Sequence, residues 1–291
     1  MPRRQPFTAL CRALARPTAL GRADLHIHTT HSDGLYTPNQ VVELARRSGL
    51  AAVAITDHDT TAGVAEARAA AGSPVEIVAG VEITAEYRRC ELHLLGYFVR
   101  PGEAALGSAL TRLREHRAGR FWGMVERLRS QGVALDERAL RERAGSGALG
   151  RRNLAVMLEN EGQVGSVREA FTRYLGDHGP VTLPKVRLPV RDAIALVCGA
   201  GGVAAWAHPS YDCTRESLAE LSGWGLGAVE AEYPAHRAGR SRELREMARE
   251  FGLAVTGGSD CHGPEPAARA IGACSVSADE LEELRRRARV E

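Results

Sequence analysis

Short apolar runs alternate with amphipathic stretches along this chain, and one long helical pattern interrupts the alternation. Residues 24–28 (DLHIH) read as a strand. Thr37-Pro38 then gives a helix start, with Thr at the N-cap and Pro at the first helical position. That helix runs through VVELARRSG and stops near Gly49. AAVAIT (51–56) predicts a buried strand, VAEARAAA a second helix and VEIVAG a third strand. VEITAEYRRCELHLLGYFV predicts an extended pair with a bend near Arg88 and Arg89.

The period changes after Pro101-Gly102. EAALGSALTRLREHRAGRFWGMVERLRSQG predicts one long amphipathic helix, in which Phe121, Trp122 and Met124 read as core. Shorter helices follow at ALRERAG, NLAVMLENEG and SVREAFTRYLG, separated by Gly-rich joints. HGPVTLPKVRLP is a Pro-punctuated linker, after which helices at RDAIALVCGAG, TRESLAELSG, SRELREMAREFG and ADELEELRRRARV alternate with strands at VAAWAH, GAVEAEY and LAVTGG. Strand–helix alternation at this spacing predicts an α/β domain with a largely parallel sheet or barrel. The expected organisation is an N-terminal extension (1–21), a first α/β part (22–101), a helical insertion (102–182) and a second α/β part (183–291).

Composition narrows the class. The 291 residues are 44% hydrophobic and 25% charged, ordinary for a globular chain. A net charge of +2 gives no global case for duplex nucleic-acid or membrane-surface binding. Among 38 basic residues only Lys185 is a lysine, which singles it out. Six scattered cysteines without a C-x-x-C pair suit reduced thiols in a cytoplasm rather than a disulfide scaffold. The first 22 residues are basic and free of acids but lack a signal-peptide apolar core, and read as an extension rather than a targeting segment.

Ligand-type side chains gather where strands end. DLHIHTTHSDG carries His26, His28, His31 and Asp33; alternation puts His26 and His28 on one face of the strand. Asp57, His58 and Asp59 follow the second strand, Glu82 follows the third, and His93 lies on the next. His208 follows VAAWA, and Asp260 and His262 follow LAVTGGS. Singly, each has a bland reading: Asp57 or Asp260 as a cap, His208 as a loop histidine. Jointly, imidazoles and carboxylates converging at strand ends are what a multinuclear Zn²⁺, Mn²⁺ or Fe²⁺ site requires. Clustered divalent ions present hydroxide at neutral pH, which can attack phosphorus in line. No nucleophile elbow and no P-loop is present.

DLHIHTTHSDG, ITDHDT, GVEIT, ELHLLGYF, AHP and GGSDCHG, in that order, resemble the polymerase-and-histidinol-phosphatase (PHP) family of metal-dependent phosphoesterases. The resemblance covers residues 22 to about 275 and is nearest the 3′,5′-nucleoside bisphosphate phosphatase and ribonuclease AM subgroup. It implies a distorted (β/α)₇ TIM-like barrel with a helical insertion domain and three divalent ions (Mn, Zn or Fe). His26, His28, Glu82 and Asp260 would hold the first ion, with Glu82 bridging to a second held by His93 and His208. Asp33, His58 and His262 would hold the third. Glu82, Asp260 and His236 are the catalytic candidates, with attack by a metal-bridging hydroxide on a phosphorylated nucleotide or short RNA. His31 departs from the family's usual small residue and is either a substrate contact or a loop histidine.

The insertion's GRPH-like motif reads GRRN here (Gly150–Asn153), leaving Arg151 as a phosphate fork and Asn153 where His is usual. Lys185, His236 and Arg237 are further substrate candidates. Two other readings stand beside this one: histidinol-phosphate hydrolysis by the same metal chemistry, and a non-catalytic PHP module serving protein interaction.

Overall fold

The computed structural model describes residues 21–72, 75–144 and 149–289, so the expected extension falls outside the described residues except for Gly21. The first half builds β1 (Arg22–Ile27), α1 (Pro38–Arg47), β2 (Leu50–Ile55), α2 (Ala62–Ala71), β3 (Glu76–Tyr87) and β4 (Cys90–Tyr97). α3 (Ala104–Ser130), α4 (Glu137–Ala144), α5 (Arg151–Asn160) and α6 (Val167–Ala170) follow, the last running into a π-helical turn at Phe171–Leu175. The second half builds β5 (Leu188–Pro189), α7 (Val190–Gly199), β6 (Val203–Trp206), α8 (Arg215–Gly223), β7 (Ala228–Glu232), α9 (Ala238–Glu250), β8 (Ala254–Gly257) and α10 (Ala278–Arg287). The helix start read at Thr37-Pro38 is a full capping box between Thr37 and Gln40. None of the described helices is long and apolar enough to cross a membrane.

One sheet runs β1-β2-β3-β4-β6-β7-β8, with β5 paired to β3. It is mostly parallel, and β4 is the exception, antiparallel to both β3 and β6. The cause is local. Arg88 and Arg89 join β3 to β4 in a two-residue turn with φ of 49° and 67°, too short for a crossover. The turn lacks the usual Asn-Gly signature, so the sequence showed only a bend. The apolar run VEIVAG and the first arm of the expected pair are a single strand of 12 residues. Ile27 of β1 forms an isolated bridge with Cys261, beyond the end of β8, and His28 N donates to Cys261 O at 3.0 Å.

Alternation sorts the strands' side chains into two apolar clusters. Val53, Ile55, Ile77, Val81, Leu94 and Val229 pack under the helices. Ala52, Ala54, Val78, Leu95, Tyr97 and Ala228 take the opposite face, packed with Leu281 and Leu284 of α10. Glu82, His93 and Glu230 share the register parity of this second face, so the polar site continues an apolar one. A separate cluster lies among α3 to α6, including Phe121, Met124, Leu128, Leu154 and Leu158. α3 joins both cores, because Leu106, Leu110 and Leu113 pack with the helix-facing cluster of the sheet. Phe121 and Met124 are fully buried as read, whereas Trp122 is 36% exposed, its ring edge-on to Phe121.

Candidate metal centre

The parallel strands β1, β2, β6, β7 and β8 deliver their following residues to one end of the sheet. His93 reaches the same end because β4 runs the other way, pairing it with Thr84 of β3. Three polar residues at these strand ends have positive φ: Asp59 (55°), His208 (30°) and Asp260 (51°). Left-handed backbone in non-glycine residues costs about 1–3 kcal/mol each and concentrates at functional sites. Glycine is needed where the ends close in: a Cβ on Gly258 would collide with the backbone N of His26.

Glu82 sits at the middle of the cluster and is almost fully buried. Its Oε2 lies 3.1 Å from His28 Nε2, 3.2 Å from His58 Nδ1 and 3.5 Å from His26 Nε2. Its Oε1 lies 2.9 Å from His93 Nδ1 and 3.1 Å from His208 Nε2. Asp260 Oδ1 is 3.2 Å from His28 Nε2 and 3.4 Å from His262 Nδ1. Asp33 Oδ1 is 3.3 Å from His262 Nε2. All nine residues named from the motifs therefore meet in one cluster. Seven of them form three compact groups of donor atoms: His28, Asp33, His58 and His262; His26, His28 and Glu82; and His58, Glu82 and His93; His208 and Asp260 fall in none of the three. His28 and His58 each stand in two groups, a sharing that the motif-by-motif assignment does not contain.

Several of these atoms meet opposite charge without a well-aligned hydrogen bond. His26 Nε2, His28 Nε2, Asp33 Oδ1 and His58 Nδ1 are buried, with ionic partners 3.1–3.5 Å away but no hydrogen bond of good geometry. Buried donors and acceptors without such a bond are costly, and four aimed into one space fit divalent cations. Neighbouring carboxylates and carbonyls set the histidine tautomers. Glu230 Oε1 lies 2.9 Å from His26 Nδ1, which places the proton there and leaves Nε2 free. The Asp260 carbonyl does the same to His262 Nδ1 at 2.9 Å, and Glu91 takes His93 Nε2 at 3.1 Å.

The electrostatics ask for positive charge. Burial opposes ionisation of Glu82, yet His58, His93 and His26 hold its carboxyl well below the usual range. Asp33 and Asp260 are likewise held low against burial, chiefly by His262 and His26 respectively. Burial also disfavours charge on His28, but bonds to Asp260 and Glu82 prevail and push it up to about 10. His93 rises to about 9, Glu82 and Glu91 overcoming its burial. At His58 burial wins, and its pKa lies well below the usual imidazole value.

The remaining sequence candidates are less central. Asp57 caps no helix; it accepts from Thr29 N and Oγ1 at 2.7 Å each and from Ser32 Oγ at 2.6 Å, pinning the loop after β1. His31 pairs with Glu66 at 3.1 Å on the surface. Arg151 donates to Leu175 O at 3.0 Å and Asp177 Oδ1 at 2.7 Å. Asn153 is buried and accepts from Gly150 N, a capping role. A Cβ built on Gly150 would lie 3.8 Å from Asp33 Oδ2, so the start of α5 borders the cluster. Lys185 and Arg187 both grip Glu91. His236 and Arg237 line an open cleft beside His208, with Tyr211, Tyr233 and Arg240.

Residues 24–144 match the family described as PHP domain. A 3′,5′-nucleoside bisphosphate phosphatase of Chromobacterium violaceum is 32% identical over 87% of this chain and 91% of its own length. The chain belongs to the PHP family. A phosphoribosyl 1,2-cyclic phosphate 1,2-diphosphodiesterase of Eggerthella lenta is 34% identical over 82% of the chain and 94% of its own length. A 5′-3′ exoribonuclease of Haemophilus influenzae is 31% identical over 83% and 90%. A crystal structure of a metal-dependent phosphoesterase from Bifidobacterium adolescentis superposes with a TM-score of 0.85 at 32% identity, covering 95% of this chain and 99% of that one. With this PHP chain's histidine–carboxylate groups, that kinship makes divalent metal part of its working form.

The sequence reading missed the second layer of this PHP centre. Glu230 and Glu91 orient histidines, and Tyr233 and Arg269 both bind Asp260 Oδ2. Glu230 had one local signal, an acid inside the apolar run GAVEAEY, but nothing pointing to His26.

Proposed function

We propose that this PHP-family hydrolase removes the 3′-phosphate from nucleoside 3′,5′-bisphosphates, or releases 5′ mononucleotides from short RNA, at a three-ion centre in a distorted (β/α)₇ barrel. In this reading residues 102–182 are the helical insertion and the setting is cytoplasmic. The observation that carries it is the set of buried ligand atoms around Glu82 that lack a well-aligned hydrogen bond. His26, His28, Glu82 and Asp260 would hold one ion, Glu82, His93 and His208 a second, and Asp33, His58 and His262 a third. Ions bound there supply Lewis acidity toward phosphoryl oxygens and make water a competent nucleophile.

The chain's own groups do the positioning. Glu82 spans the cluster and ties its two sides together. Asp260 is steered by Tyr233 and Arg269, which leaves Oδ1 toward the histidines. His236 Nδ1 donates to Ala231 O at 3.2 Å, so Nε2 is the atom left to face a leaving oxygen. Four buried ligand atoms without a well-aligned hydrogen bond favour an ion-binding centre over a module that has lost its metal.

The test is phosphate release by Mn²⁺-loaded protein from adenosine 3′,5′-bisphosphate, and mononucleotide release from a labelled short RNA. Histidinol phosphate and a ribosyl 1,2-cyclic phosphate serve as comparison substrates. Turnover of the comparison substrates alone replaces the proposed specificity; no turnover of any, with metal measured in the protein, sinks the reading.

A further inference from the structure

We propose that Arg120 of α3 receives a second anionic group of the substrate, a phosphate or phosphodiester held beside the metal centre. The inference deepens the nucleotide reading and rests on it.

Five cationic side chains converge between α3, the start of α5 and the segment before β5. Four have acidic partners. Arg117 donates to Asp59 through Nε at 3.1 Å. Lys185 and Arg187 share Glu91, and Arg151 is bound to Asp177. Arg120 has no hydrogen bond or ion pair among the described residues, and its Nη1 is buried without a partner. A desolvated guanidinium donor with no acceptor is a standing cost to the fold. Burial and the like charges of Arg117 and Arg151 lower its pKa to about 10. Such a group is retained where an anion from outside completes it.

The place suits that anion. Arg120 lines a narrow cleft, open to solvent, with Asp59, Thr84, His116, Arg117 and Lys185; its cavity volume is about 20 Å³. Thr84 is the cross-strand partner of His93, and Asp59 follows His58, so the cleft adjoins the centre. Asp59 and Glu91 do not repel an incoming anion, because Arg117 and Lys185 already neutralise them. Arg120 is the one of the five with its fork uncommitted, and a planar fork matches phosphate oxygens. Arg151, the donor expected from GRRN, is committed to Asp177.

The experiment compares Mn²⁺-loaded wild type with Arg120→Gln and Arg120→Lys on adenosine 3′,5′-bisphosphate and adenosine 3′-monophosphate. Arg120→Gln should raise KM for the bisphosphate roughly tenfold to a hundredfold, the scale of one charged hydrogen bond. It should leave kcat and the monophosphate kinetics unchanged, and Arg120→Lys should recover part of the loss. Thermal stability without ligand should not fall, since an unpaired charge is removed. Equal effects on both substrates, or none on either, would overturn the proposal while leaving the phosphatase reading intact. If wild type hydrolyses neither substrate, that reading fails. Calorimetric affinity for the bisphosphate then decides Arg120 alone: weaker binding by Arg120→Gln supports it, equal binding refutes it.

Discussion

Glu230 and His26 are both fully buried, and Glu230 Oε1 stands 2.9 Å from His26 Nδ1. The other carboxylate oxygen of Glu230 accepts from the backbone N of His208 at 2.5 Å. One acid thus sets the tautomer of a β1 histidine and the seat of a histidine after β6. Replacing Glu230 by Gln removes the charge and keeps the shape. Metal affinity should fall about 10- to 100-fold, as for other outer partners of ligating histidines. Competitive titration with a chromophoric chelator reads this directly, and unchanged affinity would remove Glu230 from the positioning role.

Glu82 touches five imidazoles, so its loss cannot be local. Glu82→Ala should lose bound metal and phosphate release together, by more than the roughly 100-fold that outer partners account for. Metal content by mass spectrometry and turnover on the same sample check it. Retained turnover takes Glu82 out of the centre.

The histidines predict a pH dependence with a definite sign. In chelated protein, His28 and His93 have pKa values raised to about 10 and about 9, from 6.5 unfolded. Their imidazolium–carboxylate pairing contributes stability that is fully present below pH ~6.5 and is lost as pH rises through about 9 to 10. Chelated protein should therefore lose stability across that window, while metal-loaded protein should not. Metal affinity should rise with pH over the same range, since ligation displaces those protons. Denaturant midpoints with and without chelator test both, and parallel curves would contradict the assignment.

Arg117 and Asp59 form a nearly buried pair, with side chains 13% and 2% exposed. Arg117→Met should cost about 3–5 kcal/mol, because it strands Asp59 in a low-dielectric site. Adding Asp59→Asn should recover much of that loss. Urea unfolding of the single and double variants gives the answer; a loss below 1 kcal/mol would mean that water reaches Asp59.

Lys185 holds Glu91, and Glu91 holds His93 Nε2. If Lys185 acts through this chain, Lys185→Gln and Glu91→Gln should be non-additive in metal affinity, with a coupling of about 0.5–3 kcal/mol. Additive effects would return Lys185 to independent contact with substrate.

Much of the site was legible because its members follow strand ends. Short apolar runs located β1, β2, β6, β7 and β8 to within a few residues, and ligand-type residues just beyond them stood out by type. His93 was legible as a residue, but its reason for being there was not: it depends on the antiparallel run of β4, set by two arginines with positive φ. The substrate candidates were less legible. Arg151 and Asn153 matched a motif, yet Asp177 and Gly150 engage them. Arg120 matched no motif, and its distinction is the absence of a partner, which appears only when its surroundings are known.

By itself the sequence determined the alternation of strands and helices, the metal-type residues and the family. These are written in local periodicity and residue chemistry, which survive without knowledge of the fold. The tertiary structure decided which charges meet. Glu230 lies 204 positions from His26, and Lys185 lies 94 from Glu91. Pairings at such separations come from the order in which the strands pair and from the return of the segment before β5 to the sheet, and no local pattern encodes them.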